Sequence, residues 1–423
     1  MRDDAQGSQG ESPTLEQLGE FAVIDRLVRG RRQPAAMLLG PGDDAALVAA
    51  GDGRTVVSTD VLVQDRHFRL DWSTPHDVGR KAIAQNAADI EAMGARATAF
   101  VVGFGAPGDT PAARVDALVD GMWDEAGRIG AGIVGGDLVS CPQWVLSVTV
   151  LGDLDGRAPV LRSGAKAGSV IAVAGELGRS AAGYALWHNG IEGFDELRRR
   201  HLVPRPPYGQ GAAAAAAGAQ AMIDISDGLL ADLRHVAESS GARIDLSTAA
   251  LAADHDALTA AAAAAGVDAW HWVLGGGEDH ALVACFAGPA PVGWRVIGRV
   301  LDGSPGVLVD GGEWRGYAGW QSYYGDAVTV YAIAQLRFTD RAAYDRYQAG
   351  FMEVFRRHPG TLLAADESPQ VIEGQWDREK VVLMSFPDED AFRDWAQSPE
   401  YQNISRDRLA GADTLVLLVK GLQ

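Results

Sequence analysis

Cysteine and long apolar runs are both scarce in this 423-residue sequence. Its two cysteines, Cys141 and Cys285, are too few for a disulfide scaffold or a cysteine-rich zinc site. No stretch reaches the roughly 18–20 consecutive apolar residues that a membrane-spanning helix requires. The sequence therefore predicts a globular protein without a membrane partner.

Positive charge is also in short supply, with 37 Lys and Arg against 56 Asp and Glu and a net charge of −19 at pH 7. A surface this acidic repels the phosphates of nucleic acids and of anionic lipids. We therefore expect no nucleic-acid partner. The first residues, MRDDAQGSQGESPT, contain no apolar segment of the kind that a secretory signal needs, so a cytoplasmic location is predicted.

Two common phosphate-binding motifs are missing or out of place. No Gly-Lys-Ser or Gly-Lys-Thr triplet occurs, which excludes a Walker A loop. The segment GPGDDA (40–45) fits the dinucleotide fingerprint formally, but that loop must follow a strand and open a helix. Here a short apolar run and another strand follow the glycines, which argues against a Rossmann site.

Short strand-like runs and longer helical patterns alternate along the chain, and its length predicts several domains at about 100–200 residues each. We predict two α/β domains followed by a smaller α+β module. The predicted segments are a disordered leader (1–17), an N-terminal α/β domain (18–154), a second α/β domain (155–318), a linker (319–327) and a last domain (328–423).

The last domain shows the element order β-α-β-β-α-β, which is typical of a ferredoxin-like module. A helix is predicted over 388–397. In this domain Tyr401, His358 and Trp376 could line a pocket, although packing is the favoured interpretation. The predicted strands are 328–338, a second strand split or bent into 360–366 and VIEGQW (371–376), then 380–386 and 414–420.

Aspartates recur in apolar or glycine-rich surroundings. Asp60 lies within VVSTDVLV, Asp89 within a helix of small apolar residues, and Asp224 and Asp227 flank Ser226. A single such acid could be a helix cap or a turn residue. Several together need another explanation, because isolated buried carboxylates each cost several kcal/mol unless they are paired or bound to metal.

Basic partners are rare in these segments, Lys81 being the main exception, so a divalent cation is the simplest counter-charge. Oxygen ligands suit Mg²⁺ rather than zinc, and Mg²⁺ shares its coordination with water and phosphates. Several ions clamping a polyphosphate are therefore predicted. The free N–H groups that open the helix after Asp227, and the close backbone approach allowed at Gly136, would suit the same ligand.

Taken in order, these segments resemble the thiamine-monophosphate kinase family, part of the ATP-binding superfamily that includes aminoimidazole-ribonucleotide synthetase. The resemblance covers about residues 18–318 and implies the two-domain α/β fold of that superfamily. The matching motifs are GPGDDAAL (40–47), VVSTDVLVQDRHF (56–68), KAIAQNAADIEAMGA (81–95), GGDLVS (135–140), LRSGAKAGS (161–169), IDISDGLLADL (223–233), GGGEDHAL (275–282) and WRGY (314–317).

The resemblance implies ATP-dependent phosphorylation of thiamine monophosphate to thiamine diphosphate. The acceptor oxygen is already anionic, so no protein base is expected, and Asp60, Asp137 and Arg162 would stabilise charge. The residues carried over are Asp44, Ser58, Thr59, Asp60, Asp89, Asp137, Asp224 and Asp227 for magnesium, Gly136, Asp137, Arg162 and Ser226 for ATP, and His67, Glu278 and Tyr317 (with Trp320 an alternative stacking residue) for the thiamine substrate.

A homodimer is also implied, because N-terminal domains pair in this superfamily. The last domain resembles a small uncharacterised family of dimeric α+β barrels, and its role stays open. Two alternatives remain at this point. One is another ATP-dependent synthetase of the same superfamily, and the other is a non-catalytic nucleotide- or ligand-binding protein, which the intact aspartate set disfavours.

Overall fold

The computed structural model describes residues 13–18, 20–31, 33–39, 47–314, 316–319, 330–358, 360–387 and 389–421. The chain divides into two compact units, residues 1–320 and 321–423. Within the described ranges, no helix combines the length and the apolar character needed to cross a bilayer.

The first half of the first unit is a sheet covered by helices. Its strands run in the order β3-β6-β4-β5, with β4 and β5 parallel and the other neighbours antiparallel. The elements are α1 (Leu15–Leu18), α2 (Glu20–Val28), β1 (Met37–Leu39), β2 (Leu47–Val48), β3 (Val56–Val63), α3 (Pro75–Ala92), β4 (Arg96–Ala106), α4 (Ala112–Arg128), β5 (Ile133–Ser140) and β6 (Val145–Asp153). The short helix α1 overlaps the end of the stretch 1–17 that was predicted as a disordered leader.

Local sequence explains where α3 begins. Thr74 accepts a hydrogen bond from the backbone N–H of Asp77, whose carboxylate accepts from the N–H of Thr74, and Pro75 occupies the first turn. The helix packs tightly on α4 at two glycines. A Cβ added at Gly79 would lie 2.0 Å from the carbonyl oxygen of Leu118, so only glycine permits this approach.

The second half of the first unit is a mostly antiparallel sheet in the order β12-β9-β11-β7-β10-β8. Strands β7, β8 and β10 are buried, which explains their apolar sequences. The elements are β7 (Val170–Ala174), α5 (Arg179–His188), α6 (Asp195–Leu202), α7 (Gln210–Ala216), β8 (Ala221–Asp224), α8 (Leu229–Ser240), β9 (Arg243–Leu246), α9 (Thr248–Ala265), α10 (Ala269–Gly275), β10 (Leu282–Phe286), β11 (Arg295–Leu301) and β12 (Gly306–Val309).

The second unit is an antiparallel sheet in the order β14-β15-β13-β16 with helices packed on one face. Its buried core is rich in aromatic side chains. The elements are β13 (Val330–Phe338), α11 (Arg341–Phe355), β14 (Thr361–Asp366), β15 (Lys380–Phe386), α12 (Glu389–Gln397), α13 (Pro399–Gly411) and β16 (Ala412–Lys420).

One prediction for this unit was wrong, and one of its helices was not predicted. The segment 371–376 is not a strand, because Gly374 turns the chain at φ +85° and the side chain of Ile372 is 83 % exposed, leaving nothing to pack. The helix α13 was not predicted at all. It begins at Ser398, whose hydroxyl accepts from the N–H of Tyr401, with Pro399 in the first turn.

Candidate functional site: an acid cluster beside a buried lysine

The first group of site residues lies between β3 and α3. Alternation along β3 turns Ser58 and Asp60 towards α3, where Gln85 and Asp89 are one helical turn apart. The hydroxyl of Ser58 donates to Asp89 Oδ2 at 2.6 Å, and Gln85 Nε2 donates to Asp60 Oδ2 at 3.0 Å. Strand and helix thus hold two carboxylates side by side.

A second group lies at the end of the buried strand β8. Asp224 is the last residue of that strand, and its Oδ2 lies 3.2 Å from Nδ1 of His280. Although burial opposes it, the hydrogen bond and charge of Asp224 raise the pKa of His280. Burial and Asp224 raise the pKa of Asp227. This group therefore combines two interacting carboxylates with one imidazole.

The two groups meet. The pKa of Asp89 is raised to about 7, mainly by burial and then by the charges of Asp224 and Asp60. Carboxylates from both halves of the first unit therefore act on one another through a low-dielectric environment. Among the described side chains, no three of His, Cys, Asp and Glu form a ready-made metal site, and Asp44 lies outside the described residues.

Thr59 and Asp137 do not join this cluster within one chain. Thr59 faces the other side of β3, where its hydroxyl donates to the carbonyl oxygen of Val148 at 3.0 Å. Asp137 lies on β5, at the far edge of the sheet from β3. Pairing across the sheet aligns Val61 with Ser147, Gly103 and Asp137 in turn, so Asp137 lies three strand spacings, or about 14 Å, from Val61. Its side chain is on the same open face as that of Thr59.

The glycine before Asp137 has a packing explanation. A Cβ added at Gly136 would lie 2.1 Å from the carbonyl oxygen of Val102, on the neighbouring strand. Glycine is therefore required here by the strand pairing itself, whatever ligand approaches. Sequence reasoning attributed this residue to the approach of a ligand, because the close contact between β4 and β5 is invisible in the local sequence.

The turn before α8 is held by a residue that the sequence analysis did not single out. Asp232 Oδ2 accepts the backbone N–H groups of Asp227 at 3.1 Å and Gly228 at 3.0 Å. These two donors, which we expected to be free for an anion, are therefore already satisfied. Ser226 lies in this turn, and Arg162 is close enough to lower the pKa of Asp227, although burial outweighs that effect.

A buried lysine links two of the residues predicted to contact thiamine. Lys81 is 1 % exposed, and its Nζ donates to the carbonyl oxygen of His67 at 2.9 Å and pairs with Glu278 Oε1 at 2.9 Å. Burial, which alone would raise the pKa of Glu278, is outweighed by Lys81 and His201, so that the pKa is lowered to about 2. Glu278 is therefore ionised at neutral pH.

His201 is the fourth member of this arrangement. Its Nδ1 lies 3.4 Å from Glu278 Oε2, and burial together with the charge of Lys81 lowers its pKa to about 4. It is therefore neutral at pH 7 and acts as a hydrogen-bonding group. Lys81 was visible as the rare basic residue of an apolar helix, whereas His201 carries no local signal because it comes from α6, 120 residues away.

The backbone of the loop after α10 is strained at two residues, and the local sequence gives a signal for it. Glu278 and His280 have positive φ angles of 62° and 53°, which are unusual for residues with side chains. Asp279 between them accepts the N–H groups of Gly178 and Ser180, which ties the loop to the start of α5. Three glycines followed by three polar residues before a buried strand are the sequence signal.

Tyr317 lies at the edge of the same site. Its side chain is half exposed, and burial followed by the charge of Asp227 raises its pKa. Its carbonyl oxygen accepts from Trp314 Nε1 at 3.2 Å. The ring is thus close to the acid cluster and open on one side. Trp320 lies outside the described residues.

Two family models match the chain. "AIR synthase related protein, N-terminal domain" covers residues 42–154, and "Domain of unknown function (DUF1330)" covers residues 329–422. The thiamine-monophosphate kinase of Mycobacterium tuberculosis is 85 % identical over 313 residues, which are 74 % of this chain and 94 % of that protein. The chain belongs to the thiamine-monophosphate kinase family. The family predicted from the ordered motifs is thereby confirmed.

Other members of the family agree. The thiamine-monophosphate kinase of Corynebacterium glutamicum is 45 % identical over 298 residues, 69 % of this chain and 88 % of that protein. A solved kinase from Stenotrophomonas maltophilia K279a superposes with a TM-score of 0.58 at 31 % identity, covering 70 % of this chain and 97 % of its own.

A complex of AaThiL with AMPPCP and TMP superposes with a TM-score of 0.60 at 29 % identity, covering 74 % of this chain and 99 % of its own. The hydrogenase maturation protein HypE, at 18 % identity and a TM-score of 0.57, shares the fold alone. The predicted α/β fold of the superfamily is confirmed by these neighbours.

Proposed function

We propose that the chain transfers the γ-phosphoryl group of ATP to thiamine monophosphate at the acid cluster, yielding ADP and thiamine diphosphate. The observation that carries this proposal is the packing of α3, which holds Asp89 beside Asp60, against β8, which ends at Asp224. The three carboxylates therefore lie close enough for their charges to interact in one anionic site. The AaThiL complex with AMPPCP and TMP, whose own chain the match covers to 99 %, supports the same substrates.

The donor set fits magnesium. Asp60, Asp89, Asp224 and Asp227 offer oxygen atoms only, and the pKa values of Asp89 and Asp227 are raised by burial and by neighbouring carboxylates, a repulsion that a hard cation relieves. When bound, Mg²⁺ neutralises the charge on the transferring phosphoryl group. Ser58 completes this proposed ligand set beside Asp89, and we keep Asp44 in it from the family resemblance. The side chain of Thr59 lies on the other face of β3, so it would serve this set only across a subunit interface, as proposed below for Asp137.

The chain's own residues would then act by positioning. Arg162 and Ser226 lie beside Asp227 and would contact ATP, while Gly136 keeps β5 close to its neighbour. The ionised Glu278, anchored by Lys81, would face the cationic thiazolium ring of thiamine. His67 and the half-exposed ring of Tyr317 would border the same substrate, and no group needs to remove a proton from the acceptor.

We further propose that the protein is a cytoplasmic homodimer, paired through the open face of the first sheet. Val57, Val61, Val101 and Val139 are exposed on that face, although large apolar side chains are normally covered. Asp137 shares the face, so pairing would bring it near a second copy. We propose that Asp137 serves the acid cluster of that copy, which resolves its distance from Asp60.

We infer a ferredoxin-like fold for the second unit, because its sheet order β16-β13-β15-β14 is that of a β-α-β-β-α-β module with an extra helix, α13. Leu415, Leu417 and Val419 are exposed on the sheet face that its helices leave open. A second copy covering this face would give the dimeric α+β barrel that the sequence suggests.

The decisive experiment is a coupled assay. Purified protein with Mg²⁺, ATP and thiamine monophosphate is expected to produce ADP and thiamine diphosphate in equal amounts. Turnover with formylglycinamidine ribonucleotide instead would identify a synthetase. ATP binding without turnover of either acceptor would identify a non-catalytic protein, and each of these results would overturn the proposed reaction.

A further inference from the structure

A cavity of about 570 Å³ lies inside the second unit, between its sheet and the helices α11, α12 and α13. Its volume falls within the ~300–1,000 Å³ that is usual for small-molecule sites. All its lining residues fall between 334 and 416, so it is distinct from the acid cluster. Tyr401, one of the three pocket candidates from the sequence, lines it, whereas His358 and Trp376 do not.

Most of the wall of this cavity is apolar, and several of its side chains are aromatic. Leu336, Val382 and Met384 line the cavity from the sheet, and Phe351 and Trp395 line it from the helices. The rings of Phe351 and Trp395 meet edge to face, at 6.3 Å and 87°. Aromatic walls of this kind favour a planar apolar molecule, because ring faces and edges interact in defined orientations.

Two buried hydrogen-bond donors on this wall have no acceptor in the part of the chain that the structure describes. They are Nε1 of Trp395, whose residue is 3 % exposed, and Nε of Arg408. A buried donor without a partner is costly, and folded proteins rarely leave one so. Both residues line the cavity, so an acceptor atom of a ligand bound there is the partner that we assign to these two donors.

The charges around the cavity favour an anion. Lys380 is 5 % exposed, but its Nζ already pairs with Glu367 Oε1 at 3.0 Å and donates to Gln348 Oε1 at 2.7 Å. Arg341 also pairs with Glu367, so that carboxylate is fully engaged. Arg408 forms no ion pair with any carboxylate of the described residues, which leaves its guanidinium as the uncompensated cation of the lining.

We infer that this cavity binds a planar aromatic carboxylate, with its ring between Phe351 and Met384, its carboxylate paired with Arg408 and the indole N–H of Trp395 as a second donor. Arginine suits this role because its planar guanidinium matches a carboxylate and keeps its charge at every relevant pH. The second unit is then a ligand-binding module, independent of the phosphoryl-transfer site.

The test uses 2-naphthoate as the probe in calorimetric titrations of the full chain. Its neutral analogue 2-naphthamide keeps the ring and loses the charge, and acetate keeps the charge and loses the ring. We expect 2-naphthoate to bind, 2-naphthamide to bind about tenfold or more weakly, and acetate not to bind. Equal binding of acid and amide, or no binding of 2-naphthoate at millimolar concentration, would overturn the inference.

Matched variants locate the site. Arg408→Gln is expected to weaken 2-naphthoate binding about tenfold or more, and Trp395→Phe to weaken it severalfold. Arg406→Gln, the same change on an exposed residue of α13 outside the cavity, should bind as the parent does. ADP production should be unchanged in all three. Unaltered affinity in a folded Arg408→Gln protein would contradict the assignment, and should that variant not fold, the comparison of acid and amide still decides.

Discussion

At the scale of single residues, Lys81 shows how one buried charge organises a site. Its ammonium group contacts the backbone of His67 and the carboxylate of Glu278. His67 precedes Lys81 by 14 positions and Glu278 follows it by 197, so two distant parts of the sequence meet at one nitrogen atom. The sequence predicted His67 and Glu278 as substrate residues through the motif resemblance alone. It could not predict their common anchor, because the pairing depends on a fold that brings α3, α6 and the loop after α10 together.

The pH dependence of stability follows from Glu278. Its pKa in the folded chain is lowered to about 2 from an ordinary value of 4.5, so its contribution is present above pH ~4.5 and is lost as the pH falls towards 2. Glu278→Gln should therefore lower the free energy of unfolding near neutral pH, and the gap to the parent should shrink under acid. Denaturant unfolding at pH 7 and at pH 3 measures this.

The exposed Glu192→Gln variant is the control and should match the parent at both pH values. A gap for Glu278→Gln that stays constant with pH would show that the loss is steric and that the ion pair with Lys81 does not cause it.

Removing one acid tests the proposed metal cluster. Asp60→Asn keeps the hydrogen bond from Gln85 possible but removes the charge, so the rate of ADP production should fall by about 100-fold or more with an unchanged melting temperature. Asp155→Asn, at an 85 % exposed side chain on the surface of the same unit, is the matched control and should keep the parental rate. Comparable activity in both variants would remove Asp60 from the site.

At the scale of elements, periodicity predicted most of the second unit. The helix predicted over 388–397 is α12, and the strands predicted over 328–338, 360–366, 380–386 and 414–420 are β13 to β16. The helix α13 was missed although Ser398 and Pro399 carry an N-cap signal, since the segment between two strands was assigned to one helix only. Segment 371–376 has strand-like composition, but it has no neighbouring strand to pair with.

The contact between α3 and α4 gives a prediction at this scale. Gly79→Ala should destabilise the protein by about 1–3 kcal/mol or more, because the new methyl group would meet the Leu118 carbonyl oxygen and the helices cannot move apart without opening the core. Gly127→Ala on α4 has no atom within 4 Å of the added Cβ and should stabilise by about 0.5–1 kcal/mol.

Chemical denaturation of both variants gives the two values directly. Equal effects of the two substitutions would show that general helix propensity, rather than the close approach of α3 to α4, decides the stability of this region.

At the scale of the whole molecule, the position of Asp137 makes subunit exchange informative. Asp60→Asn and Asp137→Asn homodimers should each be nearly inactive. When the two are mixed and allowed to exchange, each heterodimer would contain one site with both native acids, so activity should recover to about a quarter of the parental value. The measurement is the rate of ADP production before and after mixing.

Mixing either variant with inactive protein of its own kind is the control and should restore nothing. If the mixture of the two variants also stays inactive while subunit exchange is demonstrated, Asp137 does not act across the interface that we propose.

The spacing of side chains along α3 has a further consequence. Lys81, Gln85 and Asp89 follow one another at intervals of four residues, so about 12 Å of helix separates the proposed thiamine-binding end of the site from its proposed magnesium-binding end. The helix α3 would then fix the distance between bound ATP and bound thiamine monophosphate. A substitution that shifts or tilts α3 would move both ends of the site together. A packing defect far from the site would therefore misalign the two substrates without abolishing the binding of either.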